Sequence, residues 1–224
     1  APWKNIHRAC QVLSSLSDVG DDYTINIVDS GTYSYPATQT DAYIEGLSTS
    51  TITFQGVAAL GSTEPAMVSY NPIAGSTSTY GFRPDGCGEL TLRGINVNPN
   101  DAAGLVTFVY WGTSFVLEGL SNTLTVESCS MFDERTGGAQ GSRFIWAQST
   151  DTDGVLVRLK NCAFRTYGFA IDTLDETLEM DRCVVMGREI AGTTTDRWMV
   201  DSPSRGSTIT NCTFFLNRKD AGAE

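Results

Sequence analysis

Histidine is almost missing from this chain: His7 is the only one in 224 residues. One imidazole near the N-terminus, in an expected helix, leaves Ser-His-Asp and Cys-His catalysis without a base elsewhere. No two of the six cysteines form a C-x-x-C pair, so a zinc site is not expected either. No apolar run approaches the roughly 18–20 residues that span a bilayer. Basic residues are also few, with 15 Lys and Arg against 26 Asp and Glu, a formal charge of −11. That balance argues against nucleic acid or an anionic membrane surface as a partner. No signal peptide is visible in the opening "APWKNIHRAC", which fits either a mature secreted end or an end whose initiator Met was trimmed.

What is present favours strands and turns. Hydrophobic residues make up 41% of the chain, enough for a sizeable core, and 22 glycines accompany many Ser and Thr. A chain this long does not need a disulfide framework, so the cysteines are read as small buried hydrophobes.

The informative feature is a phrase that returns. It reads Ile52-Thr-Phe54-Gln-Gly-Val57, then Leu90-Thr-Leu92-Arg-Gly-Ile95, then Leu124-Thr-Val126-Glu-Ser-Cys129. It returns as Val157-Arg-Leu159-Lys-Asn-Cys162, Leu178-Glu-Met180-Asp-Arg-Cys183 and Ser207-Thr-Ile209-Thr-Asn-Cys212. Successive phrases are 38, 34, 33, 21 and 29 residues apart. Alternation over three residues marks a strand with one buried face. The dipeptide turns the chain, and alternation resumes in a second short strand. Upstream lie further apolar segments, often aromatic: Met67–Tyr70, Val106–Tyr110, Phe144–Trp146, Phe169–Ile171 and Trp198–Val200. Three short strands per repeat in a fixed internal register fit a solenoid, where equivalent residues stack about 4.8 Å apart. Asn161 and Asn211 are read as turn residues. Asn211-Cys-Thr is formally a glycosylation sequon, but it lies inside a rung.

The phrase L-x-L-x-[NG]-[CI]-x-[FV] resembles the coils of the right-handed parallel β-helix of the pectate-lyase-like superfamily. That fold also occurs in phage tailspikes and other virion surface proteins. "ACQVLSSLSDVGDDYTINIVDSGTY" is similar to the entry segment of that superfamily. The resemblance implies an all-β, right-handed parallel β-helix solenoid with a short N-terminal capping helix. The expected organisation is a single domain over 1–224, with the cap helix at 5–19, coils at 23–218 and a tail at 219–224. Val12, Leu13, Leu16 and Val19 would form the helix stripe. Cys129, Cys162, Cys183 and Cys212 would form an internal column of free thiols, since rungs nearly 5 Å apart exceed the disulfide Cβ spacing of about 3.5–4.5 Å.

The enzyme motifs that the resemblance brings to mind do not assemble. Arg158-Leu-Lys160 matches one element of the polygalacturonase-like set, and Arg83-Pro84 lacks the second arginine of the pectate-lyase motif, position 87 being Cys. Two constellations survive. Asp172 and Asp201 end upstream strands of neighbouring repeats, and paired carboxylates about 5–9 Å apart serve glycoside hydrolysis. An Asp that suits the following turn explains them as well. Arg165 and Tyr167 could supply a β-elimination pair within a ridge that also holds Asp133-Glu-Arg135, Arg188-Glu189 and Asn217-Arg-Lys219. Edge charges that discourage aggregation explain that ridge equally. The stretch "SYNPIAGSTSTYGFRPDGCGE" reads as an exposed loop, with Tyr80 and Phe82 either offered to a partner or folded back over the helix.

These readings lead to a non-catalytic structural protein of an assembled particle or surface, such as a virion decoration, cement or tail component, with receptor or glycan contact. The alternative is a polysaccharide lyase or glycoside hydrolase acting on an acidic or surface polysaccharide. No cofactor and no metal is expected. The expected partners are copies of itself, neighbouring structural proteins or a surface glycan, with no nucleic acid and no membrane span. Thiols in the reduced state suit assembly in a cytosol, and the virion or extracellular surface is the expected final place. The closing "TNCTFFLNRKDAGAE" leads to the expectation that the last coil is covered by a neighbour.

Overall fold

The computed structural model describes residues 6–28, 41–59, 61–62, 64–70, 78–85, 87–99, 105–111, 122–134, 142–148, 154–167, 170–174, 176–188, 200–201 and 206–217. One helix, α1 (Ile6–Leu13), and one strand, β1 (Asp22–Ile27), precede a stack of coils. Each coil supplies three strands. The first holds β2 (Asp41–Glu45), β3 (Thr51–Gly56) and β4 (Val68–Tyr70). The second holds β5 (Ser78–Asp85), β6 (Glu89–Arg93) and β7 (Ile95–Val97). The third holds β8 (Leu105–Trp111), β9 (Asn122–Glu127) and β10 (Ser130–Phe132). The fourth holds β11 (Ser142–Gln148), β12 (Val155–Lys160) and β13 (Ala163–Tyr167). The fifth holds β14 (Ile171–Leu174), β15 (Thr177–Asp181) and β16 (Val184–Arg188), and the sixth β17 (Val200–Asp201), β18 (Thr208–Thr210) and β19 (Thr213–Asn217).

Equivalent strands pair in parallel into three sheets. The first runs β1-β3-β6-β9-β12-β15-β18, the second β4-β7-β10-β13-β16-β19 and the third β2-β5-β8-β11-β14-β17. The chain is therefore an all-β parallel solenoid, and a right-handed sense is the one that strand twist favours. The register never slips along the first sheet's core column. Ile25, Phe54, Leu92, Val126, Leu159, Met180 and Ile209 follow one another as direct partners. A one-residue slip would turn every one of them outward, which fixes the stacking.

The repeated dipeptide is what closes each coil. Gly94, Ser128, Asn161, Arg182 and Asn211 all adopt positive φ between 53° and 62°. This left-handed residue bends the chain from the first sheet into the second, and Asn or Gly accepts it at least cost. The turns also stack. The Ser128 amide donates to the Lys160 carbonyl at 2.9 Å, and the Asn161 amide to the Asp181 carbonyl at 3.0 Å. After the Ser128, Asn161 and Arg182 turns a thiol faces inward and donates to the preceding coil: Cys129 to the Leu92 carbonyl, Cys162 to Val126 and Cys183 to Leu159, at 3.3–3.5 Å. All six cysteines are free. Burial pushes the Cys129 thiol up to about 12, as befits an inert packing residue.

Aromatic rings fill the wider interior. Phe54, Phe82, Phe108, Phe144 and Phe164 form a chain of contacts with centroids 5.0, 5.8, 5.1 and 4.3 Å apart. Phe82 thus lies in the core. Residues 78–85 are a strand of the third sheet rather than the expected loop, because Phe82 pairs with Val109 and packs between two rings. Gly81 permits that approach, since a Cβ there would sit 2.6 Å from the Phe108 carbonyl oxygen. Met67–Tyr70 also differs from expectation, its strand β4 belonging to the second sheet.

The cap is shorter than the expected 5–19. Its buried face is Ile6, His7, Ala9, Cys10 and Leu13, while Leu16 and Val19 are exposed. Beyond the helix, Asp18 turns the chain instead of prolonging it. Its carboxylate accepts hydrogen bonds from the Ser48, Thr49 and Ser50 hydroxyls and from the Thr49 amide, which ties the cap to the turn before β3. At the other end Ile209, expected inward, is 45% exposed, with Phe214 at 38% and Phe215 at 57%. Among the described residues its coil is packed on one side, by the fifth coil, so the same register gives less burial.

Candidate functional site

The third sheet carries the Asp172 and Asp201 pair. β14 and β17 place the two residues directly opposite each other, so their Cα atoms are one strand spacing, about 4.8 Å, apart. The expectation that they project side by side is met at the level of register. Asp172 is not an isolated acid. Its carboxylate lies 3.6 Å from the Arg143 guanidinium, and its side chain is 14% exposed. Burial pushes the Asp172 carboxyl up, the Arg143 charge opposes that shift, and Asp201 adds to it.

Arg143 leads into a longer arrangement. Its guanidinium carbon sits 4.1 Å from the Trp146 ring centroid, and Trp146 lies 4.6 Å from Tyr110. Arg83 then covers Tyr110 at 5.6 Å and Tyr43 at 5.0 Å. Tyr43 pairs with Arg83, Tyr110 with Trp146, Trp146 with Asp172 and Asp172 with Asp201. One outward column thus runs from the first coil to the sixth, with aromatic faces filled by the rings and guanidinium groups of neighbouring strands. Contacts of this kind each contribute about 0.5–2 kcal/mol according to burial.

Sequence reasoning reached the two aspartates but not their partners. The reason is a break in alternation within β11. Phe144 and Ile145 are both buried, and both amides donate to the Ala170 carbonyl, at 2.8 and 3.2 Å. Two consecutive inward residues leave Arg143 and Trp146, three apart, on the outer side, which strict alternation forbids. Aromatic residues recurring in the upstream segments were the available signal.

The other candidates do not join this column. Arg165 lies on the second sheet, where it pairs with Glu134 at 3.0 Å. Tyr167 pairs with Arg188 through β13 and β16, and its side chain lies outside the described residues. The expected charged ridge is only partly described, because Arg135, Glu189, Arg218 and Lys219 also lie outside. Within it Asp133 is fully buried, unlike a solvated edge charge. Arg158 and Lys160 are surface partners of Glu179 at 2.8 Å and Glu127 at 3.7 Å. Asn211 donates through Nδ2 to Asp181 at 2.9 Å, in keeping with a turn role.

Among the described residues no group of three or more His, Cys, Asp or Glu side chains could hold a metal ion. No helix among them is long and apolar enough to cross a membrane. No protein-family model matches the chain, and no curated protein or solved structure matches it either.

Proposed function

We propose that this protein is a non-catalytic structural β-helix of an assembled particle or surface, of the virion decoration, cement or tail type. The observation that carries the reading is the outward column of the third sheet. Its arginines and rings pack on one another, and the Asp172 carboxylate lies 3.6 Å from the Arg143 guanidinium. Such a column stiffens a rod. The same reading places the fold in the pectate-lyase-like superfamily and the finished assembly at a virion or extracellular surface. Self-association or neighbouring structural proteins would pack on the apolar side chains exposed on the sixth coil, Ile209, Phe214 and Phe215. Receptor or glycan contact would use the outer sheet faces.

Sedimentation velocity over a micromolar concentration series tests this reading. Association that strengthens with concentration, and that Phe215→Asp abolishes, is the expected result. A strict monomer of full stability at the highest concentration would refute it.

A second reading has one observation in its favour. Asp172 and Asp201 are direct register partners on neighbouring strands, and paired carboxylates serve glycoside hydrolysis. The raised Asp172 carboxyl would then be the acid and Asp201 the nucleophile.

A further inference from the structure

The thiol column is not uniform along its length. Cys129, Cys162 and Cys183 are buried, and each donates into the coil before it while another coil lies beyond. Cys212 is half-buried and belongs to the sixth coil, whose apolar residues are exposed. Its sulfur accepts the Cys183 amide at 3.4 Å and lies 3.1 Å from the Thr210 carbonyl of its own coil, a contact that the three inner thiols also make, each with the carbonyl two residues earlier, at 3.4 Å. Cys183 and Cys212 occupy equivalent places between the pairs Asp181–Thr210 and Val184–Thr213. Their Cα atoms are therefore one strand spacing apart, about 4.8 Å, inside the disulfide window of about 4.4–6.8 Å. Their Cβ atoms must still approach to about 3.5–4.5 Å. Between inner coils that approach is resisted from both sides. At the sixth coil the described residues resist it from one.

We propose that Cys212 and Cys183 form a thiol–disulfide exchange site that a small-molecule disulfide converts into a staple between the fifth and sixth coils. Partial burial raises the Cys212 thiol above its ordinary value, so the reacting species is its minor thiolate fraction, formed by loss of the proton to solvent. This thiolate attacks one sulfur of the small disulfide. That S–S bond breaks, a new S–S bond forms at Cys212, and the departing thiolate takes up a proton. The Cys183 thiolate then attacks the Cys212 sulfur of the mixed disulfide and expels the second thiol. Two cysteine thiols are oxidised by two electrons, and one small disulfide is reduced to two thiols. Cys183, one strand spacing away, is the resolving group, and its proton passes to solvent before it attacks. Cys212 is the entry point because it alone of the four column thiols is not buried. The staple closes a loop around the coil that has least burial, and it leaves the inner thiols reduced.

The test exposes the full chain, purified under reductant, to excess oxidised glutathione, followed by intact mass, thiol counting and non-reducing peptide mapping. Two of the six thiols should disappear, with Cys183 and Cys212 recovered in one linked pair. Amide exchange over Thr208–Asn217 should slow by about an order of magnitude, since the staple limits opening of the coil. Cys212→Ser should keep all its remaining thiols, and Cys183→Ser should hold glutathione on Cys212. If Cys183→Ser fails to fold, the wild-type map still decides. Six surviving thiols, a lasting glutathione adduct on wild-type Cys212, or a link between any other pair would overturn the proposal.

Discussion

Phe144 of the third sheet and Phe164 of the second stack face to face, with centroids 4.3 Å apart and planes within 8° of parallel. The pair joins two walls of the solenoid across its interior, and both rings are fully buried. Phe164→Ala should cost about 3–5 kcal/mol, because the inner coils cannot collapse onto the void. Equilibrium unfolding in urea should show it as a lower midpoint with an unchanged slope. A loss below about 1 kcal/mol would mean that the ring is not enclosed.

The turns make a second prediction. Asn161 has a φ of 54°, which a β-branched side chain tolerates poorly. Asn161→Val should destabilise by about 1–2 kcal/mol, whereas Asn161→Gly should stay close to wild type. Thermal unfolding of the two variants checks it, and equal losses would contradict a left-handed turn.

The Asp18 clamp predicts a pH dependence. The Ser48 hydroxyl first, then the Thr49 and Ser50 groups, hold the Asp18 carboxyl well below the usual carboxylate range. A folded-state value below the unfolded one, about 3.9, gives stability that is fully present above that pH. It is lost as pH falls towards the folded value. Asp18→Asn should therefore cost about 1 kcal/mol at pH 7, at the low end for charged hydrogen bonds because solvent screens the site. The difference from wild type should shrink as pH falls below 4, as read from acid unfolding curves.

The Asp172 carboxyl offers a direct test of the outer column. Arg143 opposes the upward shift that burial imposes, so Arg143→Met should move the Asp172 titration midpoint higher. Carboxyl NMR titration would show this. An unchanged midpoint would mean that the pair is not formed in solution.

Much of this architecture can be read from residue order. The dipeptides before Cys129, Cys162, Cys183 and Cys212 announce the turns, since a Leu-x-Leu strand that stops at Asn or Ser needs a left-handed residue there. Helix length was less legible. Val12, Leu16 and Val19 fit a helical period, yet Asp18 finds better partners in the turn at 48–50 than a helix could offer it. The strand at 78–85 hid behind Gly, Ser and Pro, and it holds because Phe82 fits between Phe54 and Phe108. The outer column was the least legible, because two consecutive buried residues in β11, Phe144 and Ile145, break the alternation on which pattern reading depends.

The account stands or falls on whether the third sheet's outer face performs chemistry. The most direct measurement incubates the purified protein with a panel of acidic and neutral surface polysaccharides and follows both new reducing ends and unsaturated products. The account predicts no turnover by wild type, and no difference between wild type and Asp172→Asn, Asp201→Asn or Arg165→Ala. Depolymerisation of any one polysaccharide, lost on Asp172→Asn or Asp201→Asn, would contradict it and make the carboxylate pair a catalytic site.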